Sequence, residues 1–167
     1  MKKLIFTIAL AFTALNLSAQ DGNRTIGVGV QTSFPVYGLS ARVAVTDQVV
    51  AQAIVAPFSS SSGDFGYSIN FYGARGLYRF TDPDRTAVPY AYAGAGLIRS
   101  TLKMGTLGTS SSNMLGWSLG AGVEFFPGFL DNLGASAEIG YGAMNVGALG
   151  VSVAALNFGV GIHYYFN

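Results

Sequence analysis

Apolar and small residues alternate with a period of two along most of this chain, a spacing that predicts β-strands and not helices. In the last stretch Leu156, Phe158, Val160, Ile162, Tyr164 and Phe166 share one face, and Asn157, Gly159, Gly161, His163 and Tyr165 share the other. Ahead of Pro127, Leu115, Trp117, Leu119, Ala121, Val123 and Phe125 oppose Gly116, Ser118, Gly120, Gly122 and Glu124. The next stretch sets Leu133, Ala135, Ala137, Ile139 and Tyr141 against Gly134, Ser136, Glu138 and Gly140. Near the start, Leu39, Ala41, Val43 and Val45 oppose Ser40, Arg42 and Ala44. Eight strands are expected: Thr25–Phe34, Tyr37–Thr46, Val49–Phe58, Tyr67–Phe80, Pro89–Thr101, Met114–Phe126, Leu133–Asn145 and Ser152–Phe166. In the fifth, Tyr90, Tyr92, Gly94 and Gly96 alternate with Ala91, Ala93 and Ala95, so the pattern does not say which face is which.

The second face decides the architecture. In a soluble β-sandwich it would meet water and carry Lys, Glu, Thr and Arg. Here it carries Gly, Ser and Ala with about one charge per strand. Glycine weakens a strand unless another group approaches closely, and the interior of an eight-stranded barrel is a place that narrow. The bulky Leu, Val and Phe face must then point outward, and lipid is the solvent that accepts it. The expected fold is all-β: an eight-stranded antiparallel up-and-down transmembrane β-barrel. An even strand count puts both ends of the barrel domain on one side, the periplasm. Pro35-Val36, Ser59–Gly66, Leu102–Asn113 and Val146–Val151 become the outer loops. Aromatic residues are expected as girdles at both interfaces: Phe80, Phe125, Phe126, Tyr164 and Phe166 at one end, and Phe34, Phe58, Tyr67, Trp117 and Tyr141 nearer the other.

Composition agrees. Only 10% of the 167 residues are charged against 50% hydrophobic, with 23 Gly, 12 Phe and 9 Tyr, where about 25% charged is usual for a soluble domain. Beyond the N-terminus no apolar run approaches the roughly 20 residues of a membrane helix. Met1-Lys2-Lys3 followed by apolar Leu4 to Leu17 and Ser18-Ala19 reads as a cleavable signal peptide, residues 1–19. Cleavage would leave Gln20 first in a barrel domain of residues 20–167. A formal charge of +1 gives no electrostatic basis for binding nucleic acid. With no Cys there is no disulfide, thiolate nucleophile or lipobox anchor.

The chain resembles the small eight-stranded outer-membrane barrels of the OmpA/OmpX type, in the version common in Bacteroidetes. The leader ending Leu17-Ser18-Ala19-Gln20 carries some of the likeness. So does the block Glu124-Phe125-Phe126-Pro127-Gly128 with Asp131-Asn132-Leu133 and Ala137-Glu138-Ile139-Gly140-Tyr141. The terminal run from Asn157 to Phe166, and Pro89-Tyr90 followed by Gly94-Ala95-Gly96, complete it. The resemblance implies the bacterial outer membrane and a surround of its lipid. It also implies that the terminal row Phe158, Val160, Ile162, Tyr164 and Phe166 is read by the barrel-assembly machinery.

Charges on the interior face are the candidate site. Arg42, Arg75, Arg99, Glu124, Glu138 and His163 are expected to form a lumen network, because a charge taken from water needs a partner. Catalysis has little to work with. A nucleophilic triad needs a base, His163 is the only His, and no serine is clearly placed beside it and Glu138 together. The Asp residues fall in turns, where Asp serves turn geometry, and no spacing supports a metal or any other cofactor. The expected role is structural or surface-interacting, with the outer loops open to a surface partner. A narrow porin-like channel is the first alternative and a lipid-modifying enzyme the second.

Overall fold

The computed structural model describes residues 24–62, 64–130, 132–146 and 151–166. The expected signal peptide and its cleavage site lie outside these residues. Eight strands close into one antiparallel barrel in sequence order. They are β1 (Ile26–Ser33), β2 (Val36–Ala44), β3 (Val49–Ser62), β4 (Phe65–Arg79), β5 (Ala87–Met104), β6 (Thr109–Phe125), β7 (Leu133–Val146) and β8 (Val151–Phe166). β8 closes the ring on β1, with Ile26 opposite Phe166 and Val30 opposite Ile162.

The faces follow the alternation. Leu156, Phe158, Val160 and Ile162 are exposed, while Asn157 and His163 are buried. Leu115, Trp117, Leu119 and Val123 point out, and Ser118 and Glu124 point in. Glycines of the inner face make room for large side chains from nearby strands. A Cβ on Gly122 would lie 2.7 Å from the Tyr90 ring, and one on Gly140 would lie 2.3 Å from the Tyr92 hydroxyl oxygen. So Tyr90 and Tyr92 fill the interior, which settles the face of β5 that the sequence leaves open.

Three expectations change. β3 to β6 run longer than expected, because Ser59–Ser62 pairs with Phe65–Ser68 and Leu102–Lys103 pairs with Thr109–Ser110. The Ser59–Gly66 and Leu102–Asn113 segments are therefore mostly strand, and a 3-10 turn at Gly105–Leu107 joins β5 to β6. Phe126 is not a girdle residue: it is 3% exposed and packs on Tyr165 inside the terminal end. Phe34 also leaves the girdle. The β1–β2 turn folds inward, so that Phe34 lies over Gly142 of β7 and Pro35 over Gly116 of β6.

Candidate functional site: the lumen network

Each strand supplies at least one side chain to a single polar network. Two ion pairs anchor it. Arg42 (β2) donates to Glu124 (β6) at 2.7 Å. Arg75 (β4) donates through both terminal nitrogens to the two oxygens of Glu138 (β7), each at 2.8 Å. This two-pronged geometry is the stronger form of an arginine–carboxylate pair. Neutral groups satisfy much of what remains. Tyr165 (β8) donates to Glu124 Oε1 and Tyr90 (β5) to Glu138 Oε1, both at 2.7 Å. Gln31 (β1) accepts from Arg42, and Gln52 (β3) accepts from Arg75 Nε and Nη2.

The second half extends to Ser40 and His163, and the two halves meet where Arg42 lies against Tyr90. Gln52 donates to Ser40 at 2.6 Å, and Ser40 meets His163 Nε2 at 2.9 Å. Arg42 lies 5.8 Å from the Tyr90 ring centroid, and Arg75 lies 4.6 Å from that of Tyr92, close enough for a cation–π attraction. Arg42, Glu124, Arg75, Glu138 and His163 are all 5% exposed or less. Charges this deep in a low-dielectric interior persist because each is paired and hydrogen-bonded. Glu124 and Glu138 avoid mutual repulsion by each having its own arginine. In the β6–β7 ladder Glu138 stands opposite Gly122, and Glu124 opposite Ser136.

Arg99 is not a member of this network. It is exposed, and it pairs across the sheet with Asn70 and Asn113. The reason is parity. Arg99 shares its face with Ala91, Ala93, Ala95 and Leu97, and the inward tyrosines of the same strand turn that face outward. Sequence reasoning passed over Gln31, Ser40, Gln52, Tyr90 and Tyr165, which take part in most of the network's hydrogen bonds. Their inward parity was the available signal, but neutral residues did not stand out beside the charges.

His163 has a serine beside it, Ser40, but Glu138 does not join the pair. Ser40 and His163 are 6% and 0% exposed. Glu138 is engaged by Arg75 and Tyr90 instead of His163, and His163 Nδ1 has no hydrogen-bond partner. The pair therefore lacks the acid that would orient the imidazole, and it lacks an opening for substrate. At the terminal end Arg24 stacks over Phe126, 3.6 Å from the ring centroid, and donates to the carbonyl of Pro83.

Comparison with known proteins bears on this barrel directly. Residues 5–166 match the outer membrane protein beta-barrel domain family. No curated protein matches by sequence. Among solved structures, the N-terminal β-barrel domain of Pseudomonas aeruginosa OprF is similar at TM-score 0.57 and 20% identity, over 88% of this chain and 100% of that one. Neisserial surface protein A is similar at TM-score 0.50 and 17% identity, over 84% and 93%. Yersinia pestis Ail, in complex with the heparin analogue sucrose octasulfate, is similar at TM-score 0.52 and 16% identity, over 87% and 100%. At these identities the structures share the fold.

Proposed function

This chain belongs to the outer membrane protein beta-barrel domain family and resides in the bacterial outer membrane, and from that premise we propose that it is a non-enzymatic, non-conducting barrel whose lumen its own side chains hold shut. One observation carries the reading: the network takes a residue from all eight strands, and the inward Phe34–Pro35 turn covers it from the hairpin end. An ion crossing this lumen would have to break both buried ion pairs. The test is recording from the folded full chain in planar lipid bilayers. No steady conductance is expected. Stable single-channel steps would overturn the reading in favour of a narrow porin-like channel.

The long hairpins support a surface-contact role with the termini in the periplasm. Outward residues of β5 change beyond Leu97 to Arg99, Thr101 and Lys103, beside Ser59 and Ser61 of β3 and Ser68 and Asn70 of β4. Two cations among hydroxyls and amides suit a sulfated or phosphorylated glycan. Retention of the protein on a heparin column that Arg99→Gln with Lys103→Gln abolishes is the expected result; unchanged retention would count against it. On β8, the outward row Phe158, Val160, Ile162, Tyr164 and Phe166 lies on the strand that closes the ring, which suits recognition by the barrel-assembly machinery. Unimpaired assembly of a Phe166→Asp chain in cells would oppose that role.

A further inference from the structure

The barrel wall is uneven in height. β1 pairs with β8 only as far as Thr32 opposite Val160, and β2 pairs with β3 only as far as Leu39 opposite Val55. At the end of the first ladder the Thr32 hydroxyl itself bonds the Val160 N–H and carbonyl, each at 3.1 Å. β3 continues to Ser62 and β8 starts at Val151, yet no ladder joins these two strands. Between them, above the β1–β2 turn, the wall has a gap two strands wide. At a strand spacing of ~4.8 Å the gap is about 14 Å across.

Depth decides what adjoins the gap. Outward apolar residues run from Phe125 to Leu115 on β6 and from Phe166 to Leu156 on β8. At ~3.3 Å per residue and a tilt near 45°, that length is about 24 Å along the membrane normal, close to the height of a barrel's apolar band. On β1 the outward row from Ile26 ends at Thr32, which is about 14 Å by the same geometry. Roughly 10 Å of hydrocarbon on the hairpin side therefore meets the gap and not the wall. An open sheet edge is tolerated at that depth where it lines a cavity.

A cavity is there. It has a volume of about 470 Å³ and is lined by Val30, Tyr37, Leu39, Val55, Pro57 and Phe58 among others. Of its polar lining residues, Gln31 is bound to Arg42 and Thr32 to Val160. Tyr37 stands in the gap: it is 47% exposed, yet its ring centroid is 4.3 Å from that of Phe71, an interior residue of β4. Phe71 belongs to an apolar cluster with Ile54, Ala56 and Ile98, on which Ile69, Met114 and Met144 pack. The lipid-facing groove and the apolar upper lumen thus meet at Tyr37.

We propose that this groove admits the acyl chain of a membrane amphiphile sideways from the leaflet on the hairpin side, past Tyr37, onto the upper-lumen cluster. The lining is apolar, the depth is that of lipid chains, and hydrocarbon is the phase against which the gap opens. The test uses the full chain folded into phosphatidylcholine vesicles with brominated acyl chains, which quench tryptophan on contact. The chain has one Trp, so a Trp117→Phe background permits single reporters. Met144→Trp and, independently, Met114→Trp report the upper lumen. Leu156→Trp reports the lipid face, and Phe126→Trp reports the closed terminal end. The expected result is a quenching loss at both lumen reporters comparable to that of Leu156→Trp, none at Phe126→Trp, and relief of the lumen quenching by Ala56→Phe in the groove floor. Lumen reporters quenched by aqueous iodide and not by brominated chains would show a water-filled cup and overturn the proposal. Quenching confined to Leu156→Trp would overturn it as well.

Discussion

Glu138→Ala isolates the energetics of the lumen. The substitution removes both acceptors of the Arg75 fork and the acceptor of the Tyr90 hydroxyl. Arg75 is 5% exposed and keeps Gln52 Oε1 as its hydrogen-bond acceptor, with the Tyr92 ring beside it. The plug leaves it little access to water. Removing one member of a buried ion pair costs about 3–5 kcal/mol, because the remaining charge is uncompensated. With a urea m-value of about 2 kcal/mol/M, the unfolding midpoint should fall by roughly 1.5–2.5 M. The assay is urea unfolding of the protein in detergent or lipid vesicles, followed by fluorescence and by the mobility of the folded form on gels. Adding Arg75→Met should recover much of the loss, since an apolar replacement of both partners leaves no orphaned charge. A midpoint within about 0.3 M of the parent would refute the reasoning, since it would mean that Arg75 finds water or another anion. A double variant no more stable than Glu138→Ala would refute the pairing itself.

Other perturbations test the two faces separately. Gly140→Ala sets a Cβ 2.3 Å from the Tyr92 hydroxyl and 2.7 Å from the Leu119 carbonyl, and overpacking of this kind should cost about 1–3 kcal/mol. Gly76→Ala meets nothing within 4 Å, so its midpoint should match the parent; equal effects at the two sites would deny that the inner glycines are cradles. Val160 is 60% exposed on the outer face, and Val160→Arg should lower stability by about 2–4 kcal/mol near mid-membrane. Unchanged folding of that variant into vesicles would place Val160 away from the hydrocarbon.

Much of this fold was legible because two pressures act on alternate residues. Lipid demands bulk on the outside, and a narrow lumen demands small residues with a few large ones on the inside. On β8 both demands are written plainly, from Leu156 to Phe166. On β5 the outer face is Ala and the inner face runs Tyr90, Tyr92, Gly94, Gly96, so neither bulk nor polarity separates them consistently along the strand. The answer lay on β6 and β7, where Gly122 and Gly140 leave space that only Tyr90 and Tyr92 fill. Misplacing Arg99 was the direct consequence. The serine-rich tips of β3 and β6 read as loops because their pairing is set by hairpin geometry and not by burial. The inward tuck of Phe34 and Pro35 was hidden for a related reason, since it depends on Gly116 and Gly142 across the lumen.

The distribution of the network over all eight strands also bears on how the barrel comes into being. Arg42 draws partners from β1, β6 and β8, so it touches both sides of the seam where β8 meets β1. A seven-stranded intermediate in the bilayer would hold an arginine that lacks Tyr165, and a half-formed one would hold naked charges facing hydrocarbon. Such sheets are heavily penalised, and the penalty disappears only at closure. In such a route the buried charges would contribute little to the stability of the finished barrel over an apolar filling, but they would leave an incomplete barrel with no comfortable resting state in the membrane.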